Sequence, residues 1–307
     1  MQTILGTGGV IGNELVNLLP KYTDKIRVVS RNPKQADARI ETVSADLFDL
    51  KQTNKAVEGS DVVYLTAGFK YDAAFWQKRW PLVMNNVIEA CEKHGARLVF
   101  LDNVYMLGKV DGWMKEDTPV NPCSKKGEVR AKIAQTLLDE INKKSIQAII
   151  ARSADFYGPG ATNSVYNILV FKNFSNNKKA AWLCNDSVKH SFSYTPDVAN
   201  GLALLGNKAE AYNQIWHLPT DQNALTGKEL IQLAANAFGR KPVYTVLKKW
   251  MVKAAGIFNP VVGESVEMLY QSQFPYLFDS SKFEKYFNYS PVVYRGGVGQ
   301  TYKSYLS

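Results

Sequence analysis

The chain is expected to fold as an open, doubly wound parallel α/β sheet with a smaller, helix-rich lobe built from its C-terminal part. Three observations predict this. Short β-branched runs alternate with helix-period segments through the first half, the pattern of a parallel sheet covered on both faces. A glycine-spaced turn, Gly6-Thr7-Gly8-Gly9-Val10-Ile11-Gly12, separates the first such run from the first helical segment. After about residue 160 the alternation loosens and helical patterns dominate.

The strands read in order as Thr3–Leu5, Ile26–Ser30, Ile40–Val43, Val62–Thr66, Leu98–Leu101 and Ile146–Ala151. The helices between them read as Ile11–Leu19, Thr53–Val57, Phe75–Lys93 and Glu128–Lys143. Parallel neighbours need right-handed crossovers, and helices of this length supply them. Further on, Asn176-Asn177-Lys178-Lys179 reads as a turn, and Ser191–Tyr194 and Ile215–Leu218 as strands. Asp197–Leu205, Gly227–Phe238, Leu247–Ala255, Glu264–Gln271 and Ser280–Phe287 read as helices. This divides the chain into a nucleotide-binding core over 1–160, re-entered at about 190–220, and a substrate lobe over 161–189 and 221–307.

Composition excludes several classes. The 307 residues are 46% apolar and 21% charged, near the globular average, which removes disordered and low-complexity readings. No run of about 18 apolar residues exists to span a bilayer. The first residues, Met1-Gln2-Thr3-Ile4-Leu5-Gly6, lack the basic region of a secretory signal. A cytoplasmic location and no membrane partner are therefore expected. The 37 basic residues against 28 acidic give +9, but they fall in scattered pairs such as Lys125-Lys126, Lys143-Lys144, Lys178-Lys179 and Lys248-Lys249. Without a basic run or a nucleic-acid motif, no nucleic-acid partner is expected, and the charge reads as solvated surface with some preference for an anionic ligand. Cys91, Cys123 and Cys184 are odd in number and far apart, as reduced thiols would be. His94, His190 and His217 show no metal-ligand spacing, so no metal is expected. There is no Gly-x-Ser-x-Gly elbow to anchor a hydrolase triad.

The turn at Gly6–Gly12 has the chemistry of a pyrophosphate site. Gly6 permits the tight exit from the strand, Gly9 lets backbone approach the phosphates, and Gly12 lets the helix pack against the sheet. The first N–H groups of the helix, around Val10 and Ile11, point at the anion. At the end of the second strand the residues are Ser30-Arg31, with no carboxylate to accept from a ribose 2′-hydroxyl. Both side chains donate to a phosphate, so NADP(H) is favoured over NAD(H), although an Arg also stacks on adenine or serves as exposed loop. Asp46, in Ala45-Asp46-Leu47, is either an acceptor for the adenine amino group or a turn former.

These residues resemble the extended short-chain dehydrogenase/reductase superfamily, and within it the NAD-dependent epimerase/dehydratase group, over nearly the whole chain. Gly6–Gly12 is similar to the group's Gly-x-x-Gly-x-x-Gly turn, and Asp46-Leu47 to its acidic-Leu segment. Thr66-Ala67-Gly68 sits where its fourth strand ends beside the cofactor. Asn103-Val104-Tyr105 resembles part of the active-site loop. Arg152–Pro159 is similar to its "Arg…Tyr-Gly-Pro" segment, and His190–Ala199 to the point of core re-entry. Asp279-Ser280-Ser281-Lys282 and Tyr289-Ser290-Pro291 resemble its tail.

The departure from the group lies at its catalytic pair. The family carries Tyr-x-x-x-Lys on the helix after the fifth strand; here the register reads Lys126-Gly127-Glu128-Val129-Arg130. A spacing of four keeps both side chains on one helix face. Arg130 can donate to a nicotinamide ribose hydroxyl. Lys126 is an acid/base tuned by the neighbouring cations, or a ligand for a substrate anion, or a surface lysine in a site that has lost its dehydrogenase chemistry. Tyr105, with Lys109 four residues on, is a substitute proton donor. Asp102-Asn103 replaces the family's usual Ser/Thr, and Asn103 either bonds a substrate oxygen or caps its loop. Tyr71 and Trp76 follow the fourth strand, where the resemblance places part of the substrate pocket. Trp76 and Trp80 also fit core packing. Asp155, Tyr157 and His190 are further substrate-facing candidates.

The resemblance implies an NADP(H)-binding oxidoreductase or epimerase acting on a small hydroxyl- or carbonyl-bearing metabolite, sugar-derived compounds among the candidates. Hydride would move between substrate carbon and nicotinamide, with the protein supplying orientation and a proton. The alternative is a non-catalytic NADP(H)-binding redox sensor or scaffold, which the missing Tyr supports. A homodimer formed through the Phe75–Lys93 and Glu128–Lys143 helices is also implied.

Overall fold

In the computed structural model, residues 1–33 and 40–306 are described. Seven parallel strands form the central sheet: β1 (Gln2–Leu5), β2 (Ile26–Ser30), β3 (Ile40–Ser44), β4 (Val62–Leu65), β5 (Arg97–Asp102), β6 (Ala148–Arg152) and β7 (Gln214–His217). Their order across the sheet is β7-β6-β5-β4-β1-β2-β3. β1, β4 and β6 are buried at every residue, because helices cover both faces and leave no solvent side to alternate with.

The crossovers are α1 (Val10–Leu18), α2 (Leu50–Val57), α3 (Ala73–His94) and α4 (Lys125–Asn142). Asp49 and Asp72 start α2 and α3 by accepting from the backbone N–H groups of Gln52 and Phe75. Gly95, at φ +65°, ends α3 in a left-handed cap. The order of strands reverses direction between β1 and β4, and Leu5 pairs with Val29 on one side and Leu65 on the other. The loops leaving β1, β2 and β4 therefore share the carboxyl edge of the sheet at the switch point, where such sheets bind ligands.

The chain divides into two compact units. The first takes Met1–Met106, Lys126–Arg152 and Val198–Leu218. The second takes Leu107–Lys125, Ser153–Asp197 and Pro219–Ser307, so that 107–125, 153–160 and about 190–197, read from sequence as core, fall in this second unit. The second unit contains α6 (Gly227–Ala237), α7 (Lys249–Phe258), α8 (Pro260–Ser265), α9 (Ser281–Phe287) and α10 (Tyr294–Lys303). The first three residues of α5 (Thr195–Gly206) also belong to it. It is less purely helical than expected: the strand read at Ser191–Tyr194 is present as Phe192–Tyr194 and pairs with Asp155–Tyr157, and Ala180–Leu183 pairs with Tyr244–Leu247. The partner of the first and both strands of the second pair are too short for alternation to be readable. α10 is hidden in the sequence by Gly296, Gly297 and Gly299, which lower helix propensity. Packing explains one of them: a Cβ on Gly297 would sit 2.2 Å from the Tyr157 hydroxyl. Among the described residues no helix is long and apolar enough to cross a membrane.

Candidate active site

The glycine turn follows directly from β1. Gly6 has φ +113°, and a Cβ there would lie 2.4 Å from the Ala67 Cα. A Cβ on Gly12 would meet the Gly6 carbonyl oxygen at 2.9 Å and the Thr66 hydroxyl at 3.2 Å. These two positions close the turn against the segment Thr66-Ala67-Gly68 after β4. The Thr66 N–H donates to the Leu5 carbonyl, and Thr7 donates through its N–H and hydroxyl to Val29. Gly8 and Gly68, by contrast, face open space on their Cβ side, and Gly9 meets only the Gly6 carbonyl at 3.8 Å. Gly9 caps α1 without a side-chain hydrogen bond, and the neighbouring Gly8 N–H donates to Asn13 Oδ1 at 3.1 Å. The open cradle at the helix N-terminus fits a dinucleotide pyrophosphate.

The adenosine end is placed by β2 and β3. Ser30 closes β2, and Arg31 follows it exposed at the carboxyl edge. The Asp46 carboxylate accepts from the Phe48 N–H at 3.0 Å, the bond of a turn former. Leu47 is buried, and its carbonyl is held by the Asn86 amide at 2.9 Å.

Across the switch point, α4 runs antiparallel to the strands it connects, so its first turn lies at the same carboxyl edge. Lys126 and Arg130 fall on its buried stripe, with Val129, Ile133, Ala134, Leu137 and Ile141. Lys126 is completely buried, which rules out the surface-lysine reading. Its ammonium lies 4.5 Å from the Tyr71 ring centre. Tyr71 meets Trp76 edge-on at 5.6 Å, and Trp76 stacks with Tyr105 at 6.4 Å. The three rings form an aromatic wall on the Lys126 side. Trp76 and Trp80 both belong to the hydrophobic core as well.

Arg130 is held by Asp102, the last residue of β5. Its Nε donates to Asp102 Oδ1 at 2.6 Å, and a terminal nitrogen forms an ion pair with the same oxygen. The guanidinium also lies 4.5 Å from the Trp80 ring centre and 5.0 Å from that of Phe100. Phe100 and Asp102 project from the same face of β5, as alternate residues do. Asp102 pairs in register with the buried Arg152 of β6. Asp102 Oδ2 is buried with no hydrogen-bond partner among the described residues, and a buried carboxylate oxygen of that kind calls for a donor. Asp102 carries this geometry, yet from sequence it reads only as a replacement for Ser/Thr. Its signal is a charge at the end of an otherwise apolar strand. Asn103 caps the loop, accepting from the Tyr105 N–H at 3.0 Å.

The remaining candidates lie in the second unit. Asp155 Oδ2 and His190 Nε2 are 3.0 Å apart, and the buried His190 ring sits between Phe192 and Tyr276. Tyr157 is buried in the aromatic core of that unit, and burial pushes its phenol well above the ordinary tyrosine range.

A parallel sheet with a glycine cradle at its switch point defines a dinucleotide-binding α/β protein. A model of the NAD dependent epimerase/dehydratase family matches residues 3–217, and the chain belongs to that family. No curated protein matches the sequence. Among solved structures, the chain is similar to a dTDP-glucose 4,6-dehydratase from Streptomyces venezuelae, a double mutant with NAD bound. That likeness has 18% identity and a TM-score of 0.83, covering 100% of this chain and 97% of the other. The UDP-N-acetylglucosamine 4-epimerase of Bacillus cereus is 17% identical with a TM-score of 0.77, covering 98% and 95%. The UDP-glucose 4-epimerase of Thermus thermophilus, in complex with NAD, is 16% identical with a TM-score of 0.79, covering 100% and 99%. At these identities the likeness establishes the fold.

Proposed function

We propose that the protein is an NADP(H)-dependent oxidoreductase or epimerase acting on a small hydroxyl- or carbonyl-bearing metabolite, with Lys126 in the place of the family's tyrosine. The observation that carries this reading is the position of Lys126. It is wholly buried at the carboxyl edge, one helical turn before Arg130 on the same face of α4. Its ammonium faces the Tyr71 ring, on the side where Tyr71, Trp76 and Tyr105 form the aromatic wall. The sugar-nucleotide enzymes among the structural relatives make sugar derivatives the first substrates to test.

The nicotinamide, when bound, supplies or accepts the hydride. The chain's own residues do the rest. Gly6 to Gly12 and the first turn of α1 hold the pyrophosphate, and Ser30 and Arg31 hold the 2′-phosphate. Lys126 Nζ donates a proton to the substrate oxygen, or takes one from it, and Tyr105 stands as the alternative donor on the aromatic wall. Asp102 Oδ2 accepts from a ligand hydroxyl. Arg130 is kept in place by Asp102 and Trp80, which makes it a positioning residue for the carboxylate. Tyr71 and Trp76 give the pocket its apolar face and exclude water. Asp155 and His190, 3.0 Å apart within the second unit, are the substrate-contact candidates of that unit taken by itself.

A second reading is a redox sensor that binds NADP(H) without turnover. The engagement of Arg130 by Asp102, where a lysine would hold the ribose, favours it. One experiment separates the two. Thermal shift with NADP+, NADPH, NAD+ and NADH is followed by NADPH oxidation across a panel of carbonyl substrates. The enzyme reading expects a shift that is larger for the phosphorylated pair and is reduced in Arg31→Ala. It also expects turnover that falls roughly 100-fold or more in Lys126→Met while the shift persists. Absence of any shift would overturn nucleotide binding. Turnover undiminished in Lys126→Met would remove Lys126 from the mechanism.

A further inference from the structure

The second unit carries a surface that the nucleotide chemistry does not use. On α7 and the start of α8, Trp250, Ile257, Phe258 and Val261 are exposed to 70%, 79%, 89% and 66%. Trp250, Ala254, Ile257 and Phe258 follow one another at spacings of four, three and one, so they occupy a single outward face of α7. Single exposed apolar residues are common; a contiguous ridge of large ones is not.

This ridge is not misplaced core. The inward side of α7 is supplied by Val252, which is buried with Cys184 and Leu269 and packs against Leu247, Val262 and Val266. Gly256 and Gly263 then bring the two helices together backbone to backbone. A Cβ on Gly256 would lie 2.8 Å from the Gly263 Cα, and one on Gly263 would lie 3.0 Å from the Gly256 carbonyl oxygen. The hairpin is thus closed on its own inner face, and the ridge stands on a fixed base.

Charge says what meets it. Residues 248–263 hold Lys248, Lys249 and Lys253 and no acid; Glu264 is the first. Lys248 is the N-cap and Lys249 the first residue of α7, where the helix macrodipole already presents positive charge, and Lys253 lies one turn further on. Cations there work against the helix, so helix stability does not account for them. Lys249 is held by the neutral Gln273 amide oxygen at 3.2 Å, and Lys253 flanks Trp250 one turn on. A Trp and Phe ridge edged with lysines is the pattern of a helix that lies in the headgroup region of an anionic bilayer. A second copy fits less well, because residues 248–263 hold no acid and an isologous pairing of this patch would set no negative charge opposite the lysines.

We propose that the α7–α8 hairpin docks the protein onto anionic phospholipid bilayers. Phe258, Ile257 and Trp250 enter the interface, and Lys248, Lys249 and Lys253 contact the lipid phosphates. This surface requires no membrane-spanning segment, and it stands independently of the nucleotide site.

The test uses the full chain and sedimentation with vesicles of phosphatidylcholine alone or phosphatidylcholine mixed with phosphatidylglycerol. The expected result is binding to the mixed vesicles that weakens with added salt. Lys248→Gln/Lys249→Gln/Lys253→Gln should lower it on the order of 100-fold, from about fivefold per lysine. Ile257→Ser/Phe258→Ser leaves the charge unchanged and should lower binding at least roughly tenfold, while melting stays as in the parent because both side chains are exposed. The proposal is overturned by failure to bind mixed vesicles, by equal binding to both kinds, or by binding that survives Ile257→Ser/Phe258→Ser. It is equally overturned if the ridge proves to hold a dimer that this variant dissociates and that does not bind vesicles.

Discussion

The Asp102–Arg130 pair allows a quantitative test of how the site is built. Both side chains are nearly inaccessible, 0% for Asp102 and 4% for Arg130, so solvent screens their interaction little. Removing one partner leaves the other charge buried without its counter-ion, at a cost of about 3–5 kcal/mol. Arg130→Met keeps most of the aliphatic contact with Trp80 and Phe100 and should still lose that amount. At roughly 2–4 °C per kcal/mol, the melting temperature falls by roughly 6–20 °C. Replacing both, as Asp102→Leu/Arg130→Met, removes the lone charge along with the pair. The double variant should recover to within about 1–2 kcal/mol of the parent. Urea unfolding followed by tryptophan fluorescence suits the measurement, since Trp80 lies against the guanidinium. An Arg130→Met protein within about 1 kcal/mol of the parent would refute the argument. So would a double variant whose loss equals the sum of the single ones.

Other expectations follow from the turn and from one cap. Gly6→Ala is strained at φ +113° and clashes with Ala67, so it should lose both stability and the nucleotide-induced thermal shift. Gly9→Ala has room in the protein but occupies the cradle, so stability should hold while nucleotide affinity falls roughly tenfold or more, measured by titration calorimetry. Thr226 and Glu229 form a capping box at the start of α6, and Thr226→Ala should cost about 1 kcal/mol in urea unfolding. The Thr226 N–H and hydroxyl hold the Glu229 carboxyl below its ordinary range. A lowered native value means that this contribution is present above the ordinary glutamate range and is lost as pH falls through the native one. The stability gap between the parent and Glu229→Gln should therefore narrow between about pH 7 and about pH 3.

Sequence alone determined the sheet and the cradle. β-branched runs and helix-period segments are local signals, and a parallel strand covered on both faces has no other way to read than as a short apolar run. Gly6 and Gly12 were legible because the demand at each is met by glycine alone, Gly9 because its spacing leaves the cradle open, and the spacing survives without knowledge of neighbours. Lys126 and Arg130 on one face of α4 followed from helical periodicity. Tertiary structure decided what those side chains do. That Lys126 is wholly buried beside Tyr71, and that Arg130 is held by Asp102, depend on contacts between α4, β5 and the start of α3, which lie tens of residues apart. The same holds for α10, where Gly297 is a close approach to Tyr157 rather than a helix breaker, and for the α7 ridge. Periodicity marks an apolar face; only the packed molecule, with Val252 inward and Phe258 at 89% exposure, shows which of two apolar faces the core has left outside. Burial is a property of the assembled chain, and the energetic role of a charge or an apolar ring changes sign with it.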